Sequence, residues 1–453
     1  MNYSKYLKEA ISIQELIINK FTDENNHLPI RIDSETGETI DDRSMVNDLG
    51  DFVQYSYLTG KLTNIEEYMQ FALDSSFSAA SSHQLSTGLF KGVYTNNNQL
   101  EWYNLEDTFY GFTSLYYLSG NGDILEILDR FKVGIEMHMH SSGFLHGATL
   151  GLNKYIARTP ITFVEGLAHM NLRSGQVEYL DLAKKLARPW IKSEFFQRFG
   201  LFPERYSEIQ MIGNLNYVTR GKIFGRLKGL TGSCSILKGN SNFMQGILEL
   251  WKLTNEKIYL TSISKWIGSV ETLANQNDRY GNVNVFTKEC SYFRKPMFQT
   301  IHVLVFYADL CAIAPNSSVK HLLDKSLNRI VQNQTDIGFF RVEPEITSSE
   351  KYRMGWLDQQ TDISVILLKG YIISGKEKYL KSVIKCIDAI IFYLKRPFGF
   401  LEYFDPETGE NTFHSKLYTK FLTLLPKAFI LLDAVQKKQN IFHGDLFLIS
   451  GDR

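Results

Sequence analysis

Cysteine and proline are scarce in this chain, and net charge is absent altogether. Four cysteines (Cys234, Cys290, Cys311 and Cys386) occur in 453 residues, without CxxC spacing or clustering. A disulfide framework is therefore not expected, and the four read as small buried hydrophobes in a reducing compartment. Only 10 prolines are present, and no Ser/Gly tract or charge block marks a linker. At this length two or three domains would be usual, and a repeat architecture is the alternative that needs no linker. Lys+Arg and Asp+Glu both number 49, whereas a polyanion binder is ordinarily basic, so nucleic acid is not expected as the main partner. No run approaches the roughly 18 apolar residues of a membrane span. The first twenty residues carry Lys5, Lys8, Glu9 and Glu15 where a secretion signal would be apolar. A cytoplasmic protein without membrane contact or cofactor is expected.

What is present is a repeating phrase. An apolar helix is followed by a short turn, an amphipathic helix and a Gly-aromatic or Gly-Leu segment. The turns include Leu58-Thr59-Gly60, Leu118-Ser119-Gly120, Arg173-Ser174-Gly175, Leu253-Thr254-Asn255 and Ile373-Ser374-Gly375. Gly or Asn there suits the left-handed residue that ends a helix. The closing segments are Gly88-Leu89-Phe90, Gly143-Phe144-Leu145, Gly200-Leu201-Phe202, Tyr280-Gly281-Asn282-Val283, Gly338-Phe339-Phe340 and Gly399-Phe400-Leu401, each read as strand-like. Two turns, Asp33-Ser34-Glu35-Thr36-Gly37-Glu38 and Asp405-Pro406-Glu407-Thr408-Gly409-Glu410, share one pattern.

Apolar helices are predicted near 42–59, 104–119, 158–174, 240–253, 297–314, 358–374 and 416–436. Amphipathic ones are predicted near 4–20, 62–78, 122–138, 176–195, 256–273, 318–331 and 376–395. A helix apolar on most sides is buried and a one-striped helix faces water, which predicts an inner and an outer ring. Over nearly the whole chain the pattern resembles the (α/α) toroid of carbohydrate-active enzymes and sugar 2-epimerases, a six- or seven-hairpin glycosidase-like superfamily. The resemblance implies an all-α fold, an (α/α)6 to (α/α)7 toroid of two concentric helix rings with short β-hairpins capping one end. It would form a single domain over residues 1–453. Two other toroid groups fit less well. A lanthionine cyclase-like protein needs Cys and His zinc ligands, and a terpenoid-type DDxxD run is missing because Asp41-Asp42-Arg43-Ser44-Met45 lacks the last aspartate.

In such a toroid the inner-helix N-termini present unpaired N–H groups and partial positive charge, so chemistry is sought there. The first entry carries Asp41, Asp42, Arg43 and Asp48, and Asp is also a preferred N-cap. The second, Glu101-Trp102-Tyr103-Asn104-Leu105-Glu106-Asp107-Thr108-Phe109-Tyr110, combines carboxylates with rings that could stack on sugar faces. The alternative there is a capped helix over an aromatic core. The third predicted helix holds Arg158, Glu165 and His169, the last two sharing a face at i,i+4. They form a self-satisfying pair or an acid–base pair. The sixth entry, Gly355-Trp356-Leu357-Asp358-Gln359-Gln360-Thr361-Asp362, is the strongest. Asp358 and Asp362 stand one turn apart beside Trp356, and close carboxyls split their pKa values as acid–base work requires.

Asp358 and Asp362, with Glu106, Asp107 or Glu165 opposite, are the catalytic candidates of a glycoside hydrolase acting on an oligosaccharide or anionic glycan. Substrate-binding candidates are Asp42, Asp48, Trp102, Tyr110, Arg158, Arg220, Trp356 and Gln359. His169 and His302 together could instead serve a sugar epimerase or isomerase. The stretch 205–239 is Gly-rich and carries Arg205, Arg220, Lys222, Arg226, Lys228 and Lys238. It reads as a basic lid, which would suit an anionic sugar or a uronate lyase, or as a solvated loop. A helical-repeat protein that only binds a glycan or partner stays open. His138, His140 and His146 lack a completing ligand, so no metal is expected.

Overall fold

The computed structural model describes residues 3–44, 46–91, 102–140, 143–146, 156–203, 206–207, 232–291, 296–315, 317–341, 354–412 and 415–438. In chain order the elements begin with α1 (Lys5–Leu16, extended by a π-helical turn Ile17–Phe21), β1 (Pro29–Asp33), β2 (Thr39–Ser44), α2 (Val46–Thr63) and α3 (Glu66–His83). Next come α4 (Trp102–Ser119), α5 (Gly122–Met137), β3 (Leu145–His146), β4 (Ile156–Arg158), α6 (Phe163–Ser174), α7 (Val177–Lys192) and α8 (Glu194–Phe199). They are followed by β5 (Tyr206–Ser207), β6 (Ser233–Cys234), α9 (Phe243–Thr254), α10 (Lys257–Ser269), β7 (Asn282–Asn284), β8 (Glu289–Ser291) and α11 (Pro296–Ile313). The last group is α12 (Ser317–Gln332), β9 (Gly355–Trp356), α13 (Leu357–Ser374), α14 (Glu377–Ala389), β10 (Lys395–Arg396), β11 (Gly399–Phe400), β12 (Tyr403–Phe404), β13 (Lys416–Tyr418) and α15 (Thr419–Gln436).

Both predicted helix sets are present among the described residues. In α13, Leu357 to Thr361 and Ile363 to Gly370 are all buried, as an all-round apolar helix requires. Its hairpin partner α14 buries Tyr379, Ser382, Val383, Cys386 and Ile387 at three- and four-residue spacing and leaves its other side to solvent. The turns behave as read: Gly175 (φ 73), Asn255 (φ 54) and Gly375 (φ 68) end their helices in the left-handed region. Two entries differ from expectation. Residues 39–44 pair with β1 instead of starting α2, and Arg158 lies on β4. Pro160 lies two residues on, and proline disfavours helical geometry in the residue before it, Thr159, so α6 begins only at Phe163.

The chain divides into two compact units, residues 1–82 with 307–453, and residues 83–306. In the first, α15 packs against α1, α2 and α13, and α13 against α14. A three-stranded antiparallel sheet of order β13-β1-β2 sets Arg31 opposite both Tyr418 and Asp41. In the second, α6 packs against α4, α7 and α9, with sheets of order β3-β4-β5 and β6-β7-β8. Its core is aromatic: the Phe109 ring lies 4.9 Å from Phe131 and 5.5 Å from Phe163.

Of the closing segments, those at Leu145, Asn282-Val283 and Gly399-Phe400 fall on β3, β7 and β11, while two others are tighter. Gln84 and Phe90, like Gln334 and Phe340, make a single antiparallel bridge. Each glutamine amide donates to the glycine carbonyl four residues on, at 2.8 Å for Gly88 and 2.7 Å for Gly338. The same amide donates to the next amphipathic helix, at Ile127 O (3.1 Å) and Ser382 O (2.8 Å). One side chain thereby ties a turn to its neighbouring hairpin in both units. Gly200 is different: it caps the short helix α8 at φ 66.

Gly88 tests this device. Its φ is +89 and a Cβ would fall onto the Arg130 carbonyl. Gly88→Ala is expected to cost about 3 kcal/mol, combining strain and clash. Gly175→Ala has the same sign of φ with open space around it, and should cost only about 1 kcal/mol. Equal urea midpoints for the two variants would show that the close approach contributes nothing.

Candidate active site

At the N-terminus of α13 two strands cross. β9 pairs antiparallel with β12, matching Trp356 with Tyr403 and Gly355 with Phe404. Leu357 N donates to Glu402 O at 3.1 Å, so the first turn of α13 is tied to the residue just before β12. This places Glu402 beside Asp358. Both are buried, 3% and 6% exposed, and the Glu402 carboxylate accepts from Tyr418 N at 2.8 Å. Burial raises the Glu402 carboxyl above its ordinary range, and the like charge of Asp358 raises it further. The Tyr418 N–H, the Tyr403 hydroxyl and the Arg31 charge act against that rise without reversing it. Trp356 and Tyr403, both half-buried, meet edge to face with centroids 5.0 Å apart. Asp358 Oδ1 accepts from Gln359 N at 2.8 Å within the first turn of α13. Gln360 is fully buried and holds Phe340 from both sides, accepting from its N–H at 2.8 Å and donating to its carbonyl at 2.9 Å. The site is thus two buried carboxyls, one kept protonated more readily than usual, beside a pair of aromatic rings.

The second unit has polar groups of its own. Glu165 is buried and accepts from the Tyr110 hydroxyl at 3.4 Å. Glu106 is buried, and Asp107 and Tyr110 are half-buried. His169 is wholly buried, and its Nε2 lies 3.7 Å from Glu249 on α9. Lys252 reaches the same carboxylate at 3.2 Å. Burial pushes His169 down to about 4, so it is neutral near pH 7 despite Glu249. Glu165 and His169 stand one turn apart on α6, while Glu249, which lies 3.7 Å from His169, is on another helix.

No family model matches the chain, and no curated protein matches it by sequence. Solved structures do. An alpha-1,2-mannosidase from Trichoderma reesei superposes with a TM-score of 0.62 at 12% identity, covering 94% of this chain and 93% of that one. A glycoside hydrolase family 76 mannosidase from Bacteroides thetaiotaomicron gives 0.58 at 13%, covering 96% and 100%. A D-mannose isomerase gives 0.56 at 14%, covering 95% and 99%. The chain has the (α/α) toroid fold.

Against that toroid the predicted site residues sort clearly. Asp358, Asp362, Trp356 and Gln359 gather at the start of α13, with Asp362 half-buried one turn further in. Glu106, Asp107, Tyr110 and Glu165 gather on α4 and α6. His302 is half-buried on α11. Asp42 is exposed on β2, which precedes α2, and neighbouring Asp41 is engaged by Arg43 at 2.6 Å. The side chains of Asp48, Trp102, Arg158 and His146 lie outside the described residues. So do Arg220 and the rest of the expected basic lid between 208 and 231. His138 Nδ1 lies 2.8 Å from Gly134 O, and among the described residues no three His, Cys, Asp or Glu side chains gather as a metal site. Sequence reasoning missed Glu402 and Tyr403. The available signal was a lone carboxylate inside the run Phe400-Leu401-Glu402-Tyr403-Phe404, where an unpaired charge is costly.

Proposed function

We propose that this chain is a carbohydrate-active enzyme, and specifically a glycoside hydrolase whose catalytic pair is Glu402 and Asp358. The observation that carries this is the buried Glu402 carboxyl, raised in pKa beside a second carboxyl and two half-buried aromatic rings. Glycoside hydrolysis requires one carboxylic acid to protonate the leaving oxygen and one carboxylate to act as nucleophile or to activate water. Glu402 is the acid. Asp358 is the carboxylate, with Asp362 one helical turn along the same face as the further candidate. The rings of Trp356 and Tyr403 offer apolar faces to a pyranose, and Gln359 a polar neighbour. Glu106, Asp107, Tyr110 and Glu165 are proposed as a second polar group on α4 and α6. Two of the three similar structures above are mannosidases, which makes mannose-containing oligosaccharides the first substrates to try.

The test is a panel of mannosides and glucosides assayed for new reducing ends, alongside free mannose and glucose assayed for interconversion. On a confirmed substrate, Asp358→Asn is expected to lower turnover by about 10²–10⁴-fold, and Asp362→Asn by a comparable factor if it shares the work. Unchanged turnover in Asp362→Asn removes that residue from catalysis. Interconversion of free sugars without hydrolysis would favour the isomerase reading. The similarity to a D-mannose isomerase and the half-exposed His302 speak for that reading, and the complete burial of His169 speaks against it.

A further inference from the structure

The second unit carries a cleft of about 440 Å³ on the solvent side of α7, lined by Gly143, Asp181, Lys184, Lys185, Arg188, Pro189 and Lys192. Its origin lies in the helix sequence. Leu182, Ala183, Leu186, Ala187, Trp190 and Ile191 face inward, so positions 181, 184, 185, 188 and 192 fall on the opposite face at three- and four-residue spacing. Two features keep that face concave. Pro189 sits inside the helix and has no N–H for the Lys185 carbonyl four residues back. Gly143 passes over this point at φ 89, where a Cβ would stand 2.8 Å from both Lys185 O and Pro189 Cγ. Any other residue would fill the cleft from above.

The electrostatics are one-sided. Glu256 receives Lys184 at 3.2 Å and Arg188 at 3.0 Å, which fixes both cationic heads against the wall. Lys185 and Lys192 are exposed and have no carboxylate partner among the described residues. Four cations therefore face two carboxylates in a chain whose overall charge is zero. From Lys185 to Lys192 the helix rises about 10 Å, which a single phosphate cannot bridge and a short chain of regularly spaced anions can. A nucleic-acid binder would add a wider basic surface. We propose that this cleft is a binding site for an oligouronate, separate in its residues from the carboxyl pair of α13 and independent of the catalytic reading.

Binding is measured by calorimetry on the full chain, with tetragalacturonate as the probe and maltotetraose as its neutral counterpart. The acidic tetramer is expected to bind and the neutral one not to, with affinity falling as salt rises. The double variant Lys185→Gln/Lys192→Gln should weaken binding at least tenfold while melting with the parent. Because neither lysine belongs to the proposed catalytic machinery, hydrolytic activity on any confirmed substrate should stay unchanged. The proposal is overturned if the double variant binds the tetramer as the parent does, if maltotetraose binds equally, or if inorganic phosphate at the same charge concentration competes fully. Preference for a single-stranded RNA of equal charge would likewise overturn it.

Discussion

Replacing Glu402 by glutamine is expected to lower turnover of an unactivated glycoside by about 10²–10⁴-fold, the usual contribution of a positioned general acid. Glutamine keeps an oxygen for the Tyr418 N–H but cannot give up a proton to the leaving oxygen. The loss should shrink on an aryl glycoside whose leaving phenolate needs no proton, which separates acid catalysis from a structural lesion. The pH profile carries the sign. Burial and the neighbouring Asp358 raise Glu402, so the protonated, active form persists above the ordinary carboxylate range, and activity falls as pH climbs through the raised pKa. In Glu402→Gln that limb should vanish. Stability should follow pH in the same direction. A carboxyl whose pKa is raised on folding stabilises the folded state below its unfolded pKa, and that stability is lost as pH rises through the folded value. Above the raised pKa the glutamine variant should therefore melt at or above the parent, and its stability should depend less on pH between the ordinary carboxylate range and that raised value. An aryl glycoside penalty as large as that on the natural linkage would contradict the acid role of Glu402.

The reason Glu402 escaped a reading of the sequence is the distance over which its neighbourhood is assembled. The helices were legible because each announces itself locally: α14 shows its buried stripe within thirteen residues, and Gly375 marks the turn before it. The two turns with the Asp-to-Gly pattern were legible for the same reason. Asp33 Oδ1 accepts from Glu35 N and Thr36 N, Asp405 Oδ1 from Glu407 N and Thr408 N, and both glycines have positive φ. Asp358 was legible because it starts a helix. Glu402 stands just before a strand of two residues, and its value arises only when β12 pairs with β9 and Tyr418 arrives from β13. Strand pairing across that separation depends on register, and a short apolar run does not encode register. Arg158 was misread for a related reason: periodicity carried the predicted helix upstream through Pro160, whereas residues 156–158 were claimed by β3 and β5.

Asn240 is expected to be the costliest single position outside any site. It is fully buried just before α9, and its amide is satisfied on every side. Oδ1 accepts from Phe202 N at 2.8 Å and from Trp266 Nε1 at 3.3 Å, while Nδ2 donates to Phe202 O at 2.9 Å and Ser235 O at 2.8 Å. Phe202 in turn stacks on Phe196 at 4.4 Å and meets Phe243 at 4.8 Å, and Trp266 meets Phe306 at 4.9 Å. One amide thus fixes two aromatic groups of the second unit. Asn240→Ala strands two donors and two acceptors in a buried position. At about 1–3 kcal/mol for each orphaned group, with partial relaxation, the variant should lose at least about 4 kcal/mol and show a urea midpoint well below the parent. Asn240→Asp decides whether hydrogen bonding or shape is responsible. Aspartate keeps the volume, yet at pH 7 it turns charged oxygen toward the Phe202 and Ser235 carbonyls. It should be at least as damaging as alanine there, and it should recover stability as pH falls and the buried carboxyl takes up a proton it can donate. If Asn240→Asp unfolds at the parent's midpoint at pH 7, the amide is filling space and the hydrogen bonds around it contribute little.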